Sequence, residues 1–140
     1  ARRRVCITLP TGASPRTDDH VIEALGLASR VGRDHLYAVN ILSSMGFEPE
    51  LTYIKSSRHD TFETFDDALR KYDDMVRKAC ALLPETRTQI ALSKLKPWLE
   101  AQIVENEDTG KPGERGIPQG ALRLREPRTI TWAFIAWNVD

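Results

Sequence analysis

The chain has 140 residues and a mass of 15.8 kDa, which is room for one domain. Hydrophobic residues at 41% and charged residues at 29% exclude a collagen-like, disulfide-scaffold or wholly disordered chain. Lys+Arg 20 against Asp+Glu 20 gives zero net charge, so bulk electrostatics cannot hold nucleic acid or an anionic membrane, and no stretch approaches the ~18 apolar residues of a membrane span.

Arg4-Val5-Cys6-Ile7-Thr8-Leu9 reads as a buried strand that Pro10 ends, and Pro10 to Pro15 is a turn-rich stretch. Over residues 18 to 31, Val21, Ile22, Leu25 and Ala28 recur at helical spacing, with Asp18 or Asp19 as cap and Gly32 as stop. Asp34 caps a second helix bearing Leu36, Val39, Leu42 and Met45, and Gly46 is its expected end. Leu51 to Ser56 is a strand candidate. Thr64, with Asp67 three residues on, opens a helix whose apolar stripe is Phe65, Leu69, Tyr72 and Val76, and Pro84 breaks it. Ala91, Leu92 and Leu95 mark another helical segment, and Pro97 suits the first turn of a final short helix.

Residues 106 to 120 hold Gly110, Gly113, Gly116 and Gly120 with Pro112 and Pro118, which reads as a long flexible or functional loop. A short Leu122-to-Leu124 segment precedes the strongly β-forming run Thr129 to Trp137. Ile130, Trp132 and Phe134 fall on one face of that run, and Ala133, Ile135 and Trp137 on the other. A strand apolar on both faces belongs in the middle of a sheet. The order of elements predicts a single α/β domain over 1–140 with a small mixed sheet flanked by helices. If the last strand pairs on one side of strand 4–9, the other side is open, and an open edge calls for a covering strand. Cys6 and Cys80 lack C-x-x-C spacing and read as buried, reduced core residues of a cytoplasmic protein.

The turn Ile41-Leu42-Ser43-Ser44-Met45-Gly46-Phe47-Glu48-Pro49 and the helix start Thr61-Phe62-Glu63-Thr64-Phe65-Asp66-Asp67-Ala68 carry a resemblance. Together with the closing Arg128-to-Phe134 strand, they resemble the C-terminal half of class I S-adenosylmethionine-dependent methyltransferases, a Rossmann-like fold. The resemblance covers most of the chain. It implies that strand 4–9 is the fifth strand of that sheet and strand 51–56 the sixth. Strand 129–137 would be the seventh, inserted antiparallel between them, and a fourth strand would pair on the open edge. It implies S-adenosyl-L-methionine as cofactor and methyl transfer as the activity. The family's cofactor loop lies outside the matched segment, so no cofactor-binding residue is assigned here and the chain alone is expected to be inactive.

Ligands of open α/β sheets sit beyond the carboxyl ends of parallel strands, which makes Thr11, Ser14 and His20 candidate substrate contacts. Arg58 and His59, beside Asp60 where the second strand ends, form a candidate polar substrate rim. The plainer alternatives are that Thr11 and Ser14 satisfy turn backbone and that Arg58 and His59 are a solvated connection. His35 reads as a surface histidine, and His20, His35 and His59 lack metal-ligand spacing, so no metal is assigned. Lys111, Arg115, Arg123, Arg125 and Arg128 are interleaved with Glu107, Asp108, Glu114 and Glu126, which argues against a nucleic-acid face. The partners expected are a second copy or another chain pairing with strand 4–9, and no membrane. A non-catalytic interaction module that self-associates through strand 4–9 is the alternative function.

Overall fold

The computed structural model describes residues 2–12, 17–28 and 32–140. The chain is of the mixed α/β class and divides into two compact units. The first comprises 1–19, 29–57 and 129–140, and the second 20–28 and 58–128.

The first unit is built on a three-stranded sheet of β1 (Arg3–Pro10), β2 (Glu50–Arg58) and β6 (Arg128–Val139), in the order β1-β6-β2. The last strand is central, as its two apolar faces predict, with Ala133, Ile135 and Ala136 buried. β6 runs antiparallel to β1, from Arg3 opposite Val139 to Pro10 opposite Trp132. At its other side Ser57 Oγ lies 2.9 Å from Thr129 Oγ1, and the Phe47 ring lies 6.5 Å from the Trp137 ring. The end of β2 thus meets the start of β6, so this pair is antiparallel as well. Helix α2 (Asp34–Ser44) packs against β1. Gly46, at φ +87°, ends it as expected: Phe47 N–H reaches back to Leu42 O and Gly46 N–H to Ser43 O, the paired bonds of a Schellman turn.

Three expectations about this unit need correction. β1 is an edge strand rather than a buried one, and Arg3, Arg4, Val5, Cys6 and Thr8 are exposed because it pairs on one side only. Cys6 is therefore exposed, whereas Cys80 is buried. His35 is buried, not on the surface: its Nε2 lies 3.3 Å from the Tyr53 hydroxyl, and the two rings meet edge to face.

The second unit packs α1 (Asp19–Ala24), α3 (Phe65–Ala79) and α4 (Glu85–Gln102) with a second antiparallel sheet of β3 (Thr61–Phe62), β5 (Leu122–Leu124) and β4 (Ile103–Glu105), in the order β3-β5-β4. Two antiparallel sheets thus replace the single mixed sheet expected. β3 and β4 escape sequence reading because strands of two or three residues show no periodicity. The core joins Val21, Ile22 and Leu25 to Tyr72, Val76, Ala91, Leu95, Leu99 and Leu124. Thr64 caps α3 as predicted, its hydroxyl accepting from Asp67 N–H at 3.2 Å. α1 stops at Gly26 (φ +75°) rather than Gly32, with Leu27 N–H on Ile22 O and Gly26 N–H on Glu23 O.

Pro97 does not start a helix but lies inside α4. A proline there costs about 3 kcal/mol, because it removes an N–H and crowds the preceding turn. Leu95 and Leu99, buried on either side of it, contribute roughly 1.5–3 kcal/mol each. Burial therefore carries the helix through the proline.

Candidate functional site

Beyond Ser57 the chain runs through Arg58, His59 and Asp60 into β3. Facing this segment within the second unit is the glycine-rich segment between β4 and β5, which is a hydrogen-bonded hairpin. Gly110 N–H donates to Gln119 O, Gln119 N–H to Lys111 O, and Gly113 N–H to Ile117 O. Its tip makes one 3-10 turn at Glu114–Gly116. Asn106 holds its base. That side chain is buried, donates to Gly120 O at 2.8 Å and Gln119 Oε1 at 3.2 Å, and accepts from Asp108 N–H at 3.2 Å. Gly120 donates to Thr61 Oγ1 at 2.9 Å, which ties the base to β3. No larger residue fits at 120, since a Cβ there would lie 2.5 Å from the Phe62 carbonyl carbon.

Between the two segments is an open cleft of about 390 Å³. Arg58, His59, Asp60 and Thr61 line one wall, and Asp108, Glu114 and Ile117 are among the hairpin residues on the other. Arg58 spans it, with Nη1 2.5 Å from Glu114 Oε2 and Nε 3.6 Å from Asp60 Oδ1. Asp60 also draws Lys71 Nζ at 3.6 Å and Arg128 Nη1 at 3.5 Å. The Asp60 and Arg128 side chains retain only 12% and 7% of their exposure, so taking these charges out of water offsets much of their attraction. The cluster is better understood as fixing the cleft wall than as a source of stability. Among the described residues, Arg58 Nε and Arg128 Nη2 are buried without a hydrogen-bond partner.

At the far side of the hairpin Arg123 donates to Glu107 from Nε at 3.0 Å and Nη2 at 3.1 Å. That contact, more than the smaller pull of His59, holds the Glu107 carboxyl below its usual range. Asp108, 2.7 Å from Lys111 Nζ, pushes the Lys111 ammonium up. The chemistry on offer in the cleft is a guanidinium, an imidazole and carboxylates, suited to holding a polar ligand by hydrogen bonds and charge. Among the described residues no group of three or more His, Cys, Asp or Glu side chains could hold a metal ion.

Of the residues singled out in sequence, Arg58 and His59 come together on this cleft. Thr11 lies in the first unit, where its N–H (3.0 Å) and hydroxyl (2.9 Å) both donate to Thr131 O, the plain structural role. Ser14 lies outside the described residues. His20 sits on α1, edge-on to Trp98 with ring centroids 5.7 Å apart, and does not line the cleft. Glu114 and Asp108 entered the sequence reading only as acidic residues diluting a basic cluster. Their partners, Arg58 and Lys111, explain why they are there. Lys71 carries no sequence signal, since it is one of several charged residues of α3 and only the fold brings it to Asp60. No family model, no curated protein and no solved structure matches this chain.

Proposed function

We propose that the chain is the C-terminal portion of a class I S-adenosylmethionine-dependent methyltransferase, contributing sheet and the acceptor-side pocket. The observation that supports this reading is strand order. The resemblance requires the last strand to lie antiparallel between the first and second, and the order is β1-β6-β2. The order agrees with the turn Ile41 to Pro49 and the helix start Thr61 to Ala68 that carry the resemblance. The cleft between Arg58-His59 and the hairpin is then the acceptor side. Methyl transfer depends chiefly on placing the nucleophile in line, and Arg58 and His59 would orient a polar acceptor.

The glycine-rich hairpin does not fit the cofactor. The amides of Gly110, Gly113 and Gly116 are spent on Gln119, Ile117 and Gly113 carbonyls and leave no donors for a ligand cradle. The cofactor is therefore expected from chain that pairs on the open edge of β1. Calorimetric titration with S-adenosylhomocysteine tests this. The chain alone should not bind. The chain extended by any coding sequence that precedes it should bind saturably. Binding by the chain alone would refute the assignment of the cofactor site elsewhere, and no binding by the extended chain would refute the reading altogether.

The open edge of β1 favours a second reading, a non-catalytic α/β module that self-associates through strand 4–9.

A further inference from the structure

The hydrogen-bond phase of β1 says which of its backbone groups are open. Thr11 N–H donates to Thr131 O, and the register of β1 on β6 continues to this pair. Antiparallel ladders alternate between pairs that exchange both bonds and pairs that exchange none. Leu9, Ile7, Val5 and Arg3 therefore direct their N–H and C=O groups to β6. Arg4, Cys6 and Thr8 direct theirs away from it. Pro10, which has no N–H, falls in the outward phase, where its missing donor costs the sheet nothing.

A second feature lies on the same strand. α2 packs against β1, and Tyr37, Ile41 and Met45 form a stripe along α2 at i, i+4, i+8, exposed by 65%, 58% and 65%. The stripe lies about a third of a turn from the line through buried His35 and Leu42.

We infer that this chain forms a two-fold dimer by antiparallel pairing of β1 with β1 of a second copy, with Cys6 opposite Cys6. That register uses every outward donor. Arg4 and Thr8 exchange bonds across the axis, and Cys6 exchanges both of its own with its counterpart. Like charges are kept apart, because Arg4 faces Thr8, Arg3 faces Leu9 and Arg2 faces Pro10. The two-fold axis runs perpendicular to the sheet, so both copies of α2 lie on one face of a continuous six-stranded sheet. In this arrangement the exposed Tyr37, Ile41 and Met45 of the two copies share that face and can add the buried surface that a strand edge alone lacks. The other edge strand, β2, carries Lys55, and its Tyr53 already meets His35 of α2. The inference deepens the second functional reading by fixing the occupant and the register. It stands on edge geometry and is the alternative to the methyltransferase reading, which fills the same edge of β1 with other chain.

The test is the mass in solution across a concentration series, with Cys6 as reporter. The chain should reach twice 15.8 kDa. Cα atoms of a bonded antiparallel pair lie about 5.5 Å apart, within disulfide reach. Diamide, taking up two electrons and two protons, should therefore join two Cys6 thiols into a disulfide dimer, and buried Cys80 should not compete. Thr8→Pro leaves the β1–β6 ladder whole and removes an outward donor from each copy, so the dimer dissociation constant should rise at least about 30-fold. Ile41→Lys, on the exposed stripe, should weaken the dimer without touching either ladder and serves if Thr8→Pro fails to fold. A chain that stays at 15.8 kDa overturns the inference, and so does a dimer without the Cys6 cross-link. A dimer indifferent to both substitutions overturns it too. S-adenosylhomocysteine titration of the same sample reports on the methyltransferase reading separately.

Discussion

Replacing Asn106 with Ala tests whether one buried amide holds the hairpin that walls the cleft. The side chain makes three hydrogen bonds, one at 2.8 Å and two at 3.2 Å. Each is worth about 1 kcal/mol net, with more lost where a buried partner is left unpaired, so the hairpin should lose about 2–3 kcal/mol against local opening. At about 1.4 kcal/mol per factor of ten, amide exchange at Gly110, Gly113 and Gln119 should speed up about 30- to 140-fold. Amides of α3 and α4, held by the separate core, should change far less. Hydrogen exchange followed residue by residue reads both groups in one experiment. A change below about threefold in the hairpin amides would refute the reasoning, as would equal acceleration in the helices, which would mean that Asn106 supports the whole unit.

Three further outcomes follow. Thr64→Ala should cost about 1 kcal/mol in chemical denaturation and Thr64→Ser almost nothing, because only the hydroxyl caps α3. Glu107 is held below its ordinary pKa of 4.5 by Arg123. Its stabilising contact should be complete above that value and be lost as pH falls through the lowered one; Arg123→Gln should return the Glu107 carboxyl resonance to the ordinary range in an NMR titration. Asp60→Asn should loosen Arg58, Lys71 and Arg128 together, visible as faster exchange at the Arg58 and Arg128 side-chain N–H groups, whereas Glu114→Gln should free Arg58 alone.

What could be read from sequence was whatever is written in local pattern. Thr64 with Asp67, Gly46 after Met45, and the two-faced run 129–137 each state their structure within a few residues. Pro97 misleads because its local cost is outweighed by Leu95 and Leu99, whose burial is a tertiary fact. Cys6 and His35 mislead in opposite directions. An apolar-looking strand lies at an edge, and a polar residue beside a helix start turns inward to Tyr53. Arg58 and His59 were legible as a polar pair at a strand end. The other wall of their cleft was not, because it comes from a hairpin some 50 residues later whose pairing has no periodic signature.

The base of that hairpin and its tip are under different constraints. Position 120 has no room for a side chain, and Asn106 and Thr61 are committed to backbone partners, so substitutions there are paid in fold. Ile117 is 65% exposed and Glu114 faces the cleft, while Gly116 between them, at φ +74°, is kept glycine by its backbone. Sequence drift among descendants of this chain should therefore concentrate at 114 and 117, where it can reshape ligand preference while the base preserves the geometry. The hairpin separates heritable variation in specificity from variation in stability.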